Sequence, residues 1–181
     1  MSDLVVKVIE HTEDTYVFNT YSYQGVKVQV SHNDGVDYLA LFPIEYIPEL
    51  GSSILIEKCK LVRINYEAGY IDVAPRIDKW EYTELPVSKY LTLPIVGMLI
   101  KSANAQIQFK GPDRTKILVV TLQMRDSFQK PFSLPLIGFG AKADQLMEFT
   151  NADILTGEFT LKYRKGADGF ELAMVTAQKY Q

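Results

Sequence analysis

Pro131-Phe132-Ser133-Leu134-Pro135-Leu136-Ile137-Gly138-Phe139, then Gly140-Ala141-Lys142-Ala143-Asp144-Gln145-Leu146-Met147-Glu148-Phe149, is the stretch on which the fold turns. Pro131–Phe139 is an apolar run of strand length. Ala143, Leu146, Met147 and Phe149 then place a mostly apolar stripe at helical spacing, which predicts a helix over Ala141–Phe149. Directly after it, Ile154–Arg164 has the β-branched and aromatic content of a strand.

Outward from this core, Pro94–Gln108 and Thr115–Met124 read as two earlier strands and Phe170–Ala177 as a last one. The second half therefore runs β-β-β-α-β-β. In the first half, strand patterns fall at Leu4–Ile9, Thr15–Thr20, Val26–Val30, Tyr38–Phe42, Ser53–Ile64 and Tyr70–Val73. His32-Asn33-Asp34-Gly35 and Glu67-Ala68-Gly69 have the composition of hairpin turns. Pro43–Leu50 is the only helical candidate there, and Pro48 limits it to a turn or two. A five-stranded barrel with its helix between strands three and four has the order of the oligonucleotide/oligosaccharide-binding (OB) fold, although periodicity alone leaves other small barrels open. The expectation is all-β: tandem OB-fold five-stranded Greek-key barrels with one short helix per domain.

Charge divides along the same line. Residues 1–90 hold eight Lys and Arg against fourteen Asp and Glu, and residues 91–181 hold eleven against eight, so balances of −6 and +3 underlie the net −3. Nine of eleven tyrosines and Trp80 lie in the first half, whereas seven of nine phenylalanines lie in the second, which points to different surface roles. From Trp80 to Tyr90 no alternation is sustained, and Pro86 would interrupt a central strand. The expected domains are residues 1–82, acidic and Tyr-rich, and 93–181, basic, with 83–92 as linker.

No apolar run approaches the roughly 18 residues of a membrane span, and the N-terminus lacks the marks of a secretion signal, so an intracellular protein is expected. Cys59, the only cysteine, excludes an intrachain disulfide and reads as a small buried hydrophobe. His11 and His32 read as surface residues, because neither has a nucleophile or second metal ligand at useful spacing. Without a phosphate-cradling glycine motif either, no enzyme, metal or cofactor is expected.

Gly138-Phe139-Gly140-Ala141-Lys142-Ala143-Asp144 resembles the strand-to-helix passage of the bacterial single-stranded-DNA-binding protein (SSB) family. Thr156-Gly157-Glu158-Phe159, Lys162-Tyr163-Arg164-Lys165 and Asp168-Gly169-Phe170 are similar to its later strands and hairpin, and Val96-Gly97-Met98-Leu99 to its first strand. The likeness covers about residues 93–180. Residues 51–73 look, by pattern, like strands four and five of the replication protein A barrels. Two departures stand out: the Lys that usually follows Phe-Gly is displaced to Lys142, and Arg164 falls where the family often has a stacking Trp. No acidic tail follows the second barrel, so recruitment of partners through one is not expected.

Sequence-tolerant binding of a single strand needs aromatic faces for stacking and cations along the phosphates. Three connections interleave the two: Phe109, Lys110, Arg114 and Lys116; Arg125, Phe128, Lys130 and Phe132; and Lys162, Tyr163, Arg164 and Lys165. They are expected to line one groove, with Lys101 added and Phe139 matching a family position that contacts DNA. Phe149 and Phe159 read as core, and Phe139 reads equally as core or contact. The expected function is sequence-tolerant binding of single-stranded DNA in replication, recombination or repair. Alternatives are a protein-interaction subunit of a replication- or telomere-type complex, or single-stranded RNA binding; a homo-oligomer or replication-complex proteins are the further partners. The tyrosines of the −6 half suit protein contact better than phosphate.

Overall fold

A computed structural model describes residues 3–32, 38–67, 70–125, 130–164 and 169–180, with the side chains of 61–67, 70–75 and 163–164 outside the description. The two hairpin turns read at 32–35 and 67–69 thus fall largely outside the described residues. The chain divides into two compact units, Met1–Leu93 and Pro94–Gln181.

The first unit is a closed barrel of β1 (Leu4–Phe18), β2 (Tyr21–Gln29), β3 (Tyr38–Pro43), β4 (Ser53–Glu67) and β5 (Tyr70–Tyr82), in the order β1-β2-β3-β5-β4. The runs Leu4–Ile9 and Thr15–Thr20 are one strand to Phe18 rather than two. Its register against β2 shifts between Val8 and Glu10 and between His11 and Thr15, so polar residues pass through as bulges. Trp80–Tyr82 also corrects the sequence reading: it is paired strand, with Trp80 opposite Ile56 and Tyr82 opposite Ile54.

Pro43–Leu50 forms turns instead of the expected helical turn. The Tyr46 N–H donates to the Pro43 carbonyl at 3.0 Å, but Pro48 has no N–H to continue a helix, and His11 Nε2 takes its carbonyl at 2.7 Å. The residues after Tyr82 follow the first barrel: Ser88 N–H donates to the Val5 carbonyl at 2.8 Å, and His32 N–H to the Lys89 carbonyl at 2.9 Å.

The next barrel begins with β6 (Leu91–Ile100), followed by β7 (Gln108–Lys110), β8 (Thr115–Arg125), β9 (Pro131–Phe139), α1 (Ala141–Glu148), β10 (Ile154–Arg164) and β11 (Gly169–Lys179). The sheet order is β6-β10-β11-β9-β8-β7, and β6 also pairs with β8, which closes β6, β10, β11, β9 and β8 into a ring with β7 appended to β8. The long first strand expected at Pro94–Gln108 is broken after Ile100. Ser102 takes the local backbone into a turn, accepting at its carbonyl from Ala105 N–H and at its hydroxyl from Asn104 N–H.

α1 is the only helix among the described residues. It buries Ala143 and Leu146, leaves Met147 exposed and Phe149 half-buried, so the stripe read from the sequence is narrower than expected. Two glycines set its position. A Cβ on Gly138 would stand 2.8 Å from both Leu146 Cδ1 and the Lys142 carbonyl oxygen, so helix and strand approach only over a glycine. Gly140 turns the chain at φ 62, a conformation that suits glycine. Phe159 lies in the core as read. Leu146→Ala is expected to destabilise the second unit by about 2–5 kcal/mol in urea unfolding followed by circular dichroism, whereas exposed Met147→Ala stays within about 0.5 kcal/mol.

Candidate functional site

β8 and β9 form an antiparallel ladder whose two faces differ in exposure. Leu118, Val120, Leu122 and Met124, with Leu134 and Leu136, fill the barrel. On the outer face, register places Ile117 opposite Phe139, Val119 opposite Ile137, Thr121 opposite Pro135, Gln123 opposite Ser133 and Arg125 opposite Pro131. Phe139 is 41% and Val119 55% exposed, so this face carries apolar groups in water. Val119 and Ile117 were missed in the sequence reading. Their signal was the run Ile117-Leu118-Val119-Val120, apolar on both alternations where a solvated face would be polar at every second position.

The strand directions correct the expectation of one groove lined by all three connections. β8 advances ten residues from the β7–β8 hairpin to Arg125, about 33 Å at strand rise. The ends joined by residues 126–130 and 165–168 share the far end of the barrel, because β9 and β11 run parallel and both start there. Lys110 and Arg114 therefore stand at one end of the outer face, and Arg125 and Lys130 at the other.

Individual residues separate further. Phe109 is 52% exposed with the Arg114 guanidinium 5.3 Å from its ring centroid, but it pairs with Lys116 and so faces the side opposite Phe139. Phe132 pairs with Met124 on the inward alternation and is half-buried. The Lys101 ammonium donates to the Met147 carbonyl at 2.6 Å and to that of Phe149, closing the C-terminal end of α1. The Lys116 ammonium sits 2.9 Å from Asp144 Oδ2, in the first turn of α1. Lys162 lies opposite Glu171 in the β10–β11 ladder. Phe128 and Lys165, and the side chains of Tyr163 and Arg164, lie outside the described residues.

The corresponding outer face of the first unit is covered. β3 is buried on both alternations, Tyr38 through Phe42. Tyr16 and Phe18, from the bulged arm of β1, pack over Tyr23, Leu39 and Leu41, and Arg76 approaches the Tyr23 ring at 5.9 Å. Thr12 Oγ1 donates to the Gly25 carbonyl at 2.7 Å and Gln24 Nε2 to the Thr12 carbonyl at 2.8 Å, holding the arm down. Of the run Tyr16, Phe18, Tyr21 and Tyr23, only Tyr21 is fully exposed. Cys59 is buried and His11 exposed. No group of three or more potential metal ligands occurs among the described residues, and none of their helices is long and apolar enough to cross a membrane.

No protein-family model and no curated protein sequence matches this chain. Among solved structures, the single-stranded DNA binding protein from Thermus aquaticus is similar over 98% of this chain and 91% of its own, at TM-score 0.57 and 10% identity. PriB from Ralstonia solanacearum matches 50% of this chain and 97% of its own, at TM-score 0.42 and 18% identity. The full-length match joins the observed strand order in assigning this chain a tandem OB fold. Lys101→Met is expected to lower the stability of the second unit by about 1 kcal/mol, through loss of the helix-end contacts, in the same urea experiment.

Proposed function

We propose that this protein binds single-stranded DNA without sequence preference, along the outer β8–β9 face of the second unit. The observation that carries the reading is that face itself: exposed Val119 near its middle and exposed Phe139 toward the β7–β8 hairpin, with Lys110 and Arg114 at that same end and Arg125 and Lys130 at the other. The bases stack on an apolar, sequence-blind surface, and the phosphates pass between two cationic ends. In OB folds this face of strands two and three is the surface that binds oligonucleotides. The resemblance to the SSB family and the likeness to the Thermus protein, named for the same activity, support the choice of ligand.

Phe128, Tyr163, Arg164 and Lys165 belong to the proposal by their place in the chain, at the end where β8 meets β9 and β10 meets β11. Phe109 joins it as a separate stacking surface with Arg114. Lys101 is assigned a structural role instead. The function is binding rather than catalysis, in DNA replication, recombination or repair and so within the cell, with further copies of the chain or replication proteins as partners.

Titration with oligo-dT at low salt is expected to show binding that weakens as salt rises; no binding by the folded protein overturns the proposal, and tighter binding of matched RNA reassigns the ligand. Phe139→Ala is expected to weaken binding by about 1–3 kcal/mol. Arg125→Ala and Lys130→Ala should each reduce the slope of log K against log salt by about 0.7. Asp144→Asn, which removes the counter-charge of Lys116, should strengthen binding at low salt.

A further inference from the structure

The first unit reaches the end of its third strand without a helix to follow it. In its place Tyr46 lies flat on Trp80, with ring centroids 4.3 Å apart and planes 15° from parallel, and Tyr82 meets Trp80 edge-on at 4.9 Å. The Tyr82 hydroxyl accepts the Glu49 N–H at 3.1 Å, which fixes the turn segment to the end of β5. Trp80 is buried, and its indole N–H has no acceptor among the described residues, so the indole itself is held by ring packing.

The plug is open to water on its outer side. Tyr46 is 54% and Tyr82 48% exposed, and Ile44, Leu50 and Leu85 beside them in the chain are exposed as well. Exposed apolar groups held together mark interaction surfaces, and Tyr46 and Tyr82, both in contact with Trp80, are such a pair. Glu45, Glu49 and Glu84 are exposed among them, and none has an ion-pair partner among the described residues.

We infer that this face, Tyr46 stacked on Trp80 with Tyr82 and an acidic rim, is a docking surface for a cationic, apolar segment of a partner protein. The charge selects the occupant. The rim carboxylates, in a half of net charge −6, repel phosphate and attract Lys and Arg. Exposed tyrosine rings receive apolar anchors and also cations over their faces. This site is independent of the proposed nucleic-acid face in the other unit.

Trp80 is the only tryptophan, so its emission reports on this site. The full chain is titrated at physiological salt with a short synthetic peptide of Lys and Leu, and with peptides of Lys and Ser and of Glu and Leu as controls. The Lys/Leu peptide is expected to saturate a change in emission while neither control does. Leu50→Ser, and separately Glu45→Lys with Glu84→Lys, should each weaken it by about tenfold or more, with circular dichroism unchanged. Equal binding of the Lys/Ser peptide, or undiminished binding by Leu50→Ser, overturns the inference in favour of plain charge attraction. Self-association in ultracentrifugation that Leu50→Ser abolishes overturns it in favour of a second copy of this chain.

Discussion

In each unit one parallel strand pair, β3 with β5 and β9 with β11, closes a ring whose neighbouring hairpins are antiparallel. The fifth strand lies between the third and the fourth in each ring, so the chain leaving the third strand must cross an end of the barrel before it starts the fourth. That end opens onto apolar side chains, and water must be kept out of it. How the crossing segment does this differs between the units, and much of the functional geometry follows.

In the second unit the crossing is α1. Leu146 and Ala143 fill the opening, Gly138 lets the helix close on its strand, and Lys101 and Lys116 bind its two ends. Two cations are thereby drawn into holding the barrel together. Such roles limit what a count of basic residues says about phosphate binding, since a lysine that donates to backbone carbonyls is already oriented. In the first unit the crossing is too short and too broken by Pro48 for a helix, and Trp80 fills the space with Tyr46 laid upon it. A flat ring seals a barrel end less completely than a helix does, and its outer face stays in water.

The outer faces divide in the same manner. In the first barrel the bulges of β1 curl its arm over β2 and β3, so that a dense run of aromatic residues becomes a small second core. In the other barrel Phe139 and Val119 remain exposed on the outer face of β8 and β9, although Ile137 on that face is buried. With the acidic residues concentrated in the covered barrel and the basic ones in the open barrel, each unit presents a surface suited to a different class of partner.

Most strands, the helix and the order of elements were legible in the sequence, because alternation and apolar spacing record which side of an element faces a core. Pro131–Phe139 and Ile154–Arg164 match the structure to the residue. Other places were not legible, among them the continuity of β1 through its bulges. The break after Ile100 depends on a turn closed by Ser102, the path of Trp80–Tyr82 depends on strand partners far away in the chain, and the path of Pro43–Leu50, where Pro48 has no N–H for a helix, depends on distant partners such as His11 and Tyr82. For the site, the residue types were evident but not their grouping: Phe109, Phe132 and Phe139 look alike in sequence and fall on different sides of the same sheet. The sequence by itself determined the tandem barrels, the charge division and the supply of rings and cations. Only the tertiary structure decided which rings face water and which lysines are already engaged, because register and strand direction are set by pairing across the barrel and not by neighbours along the chain.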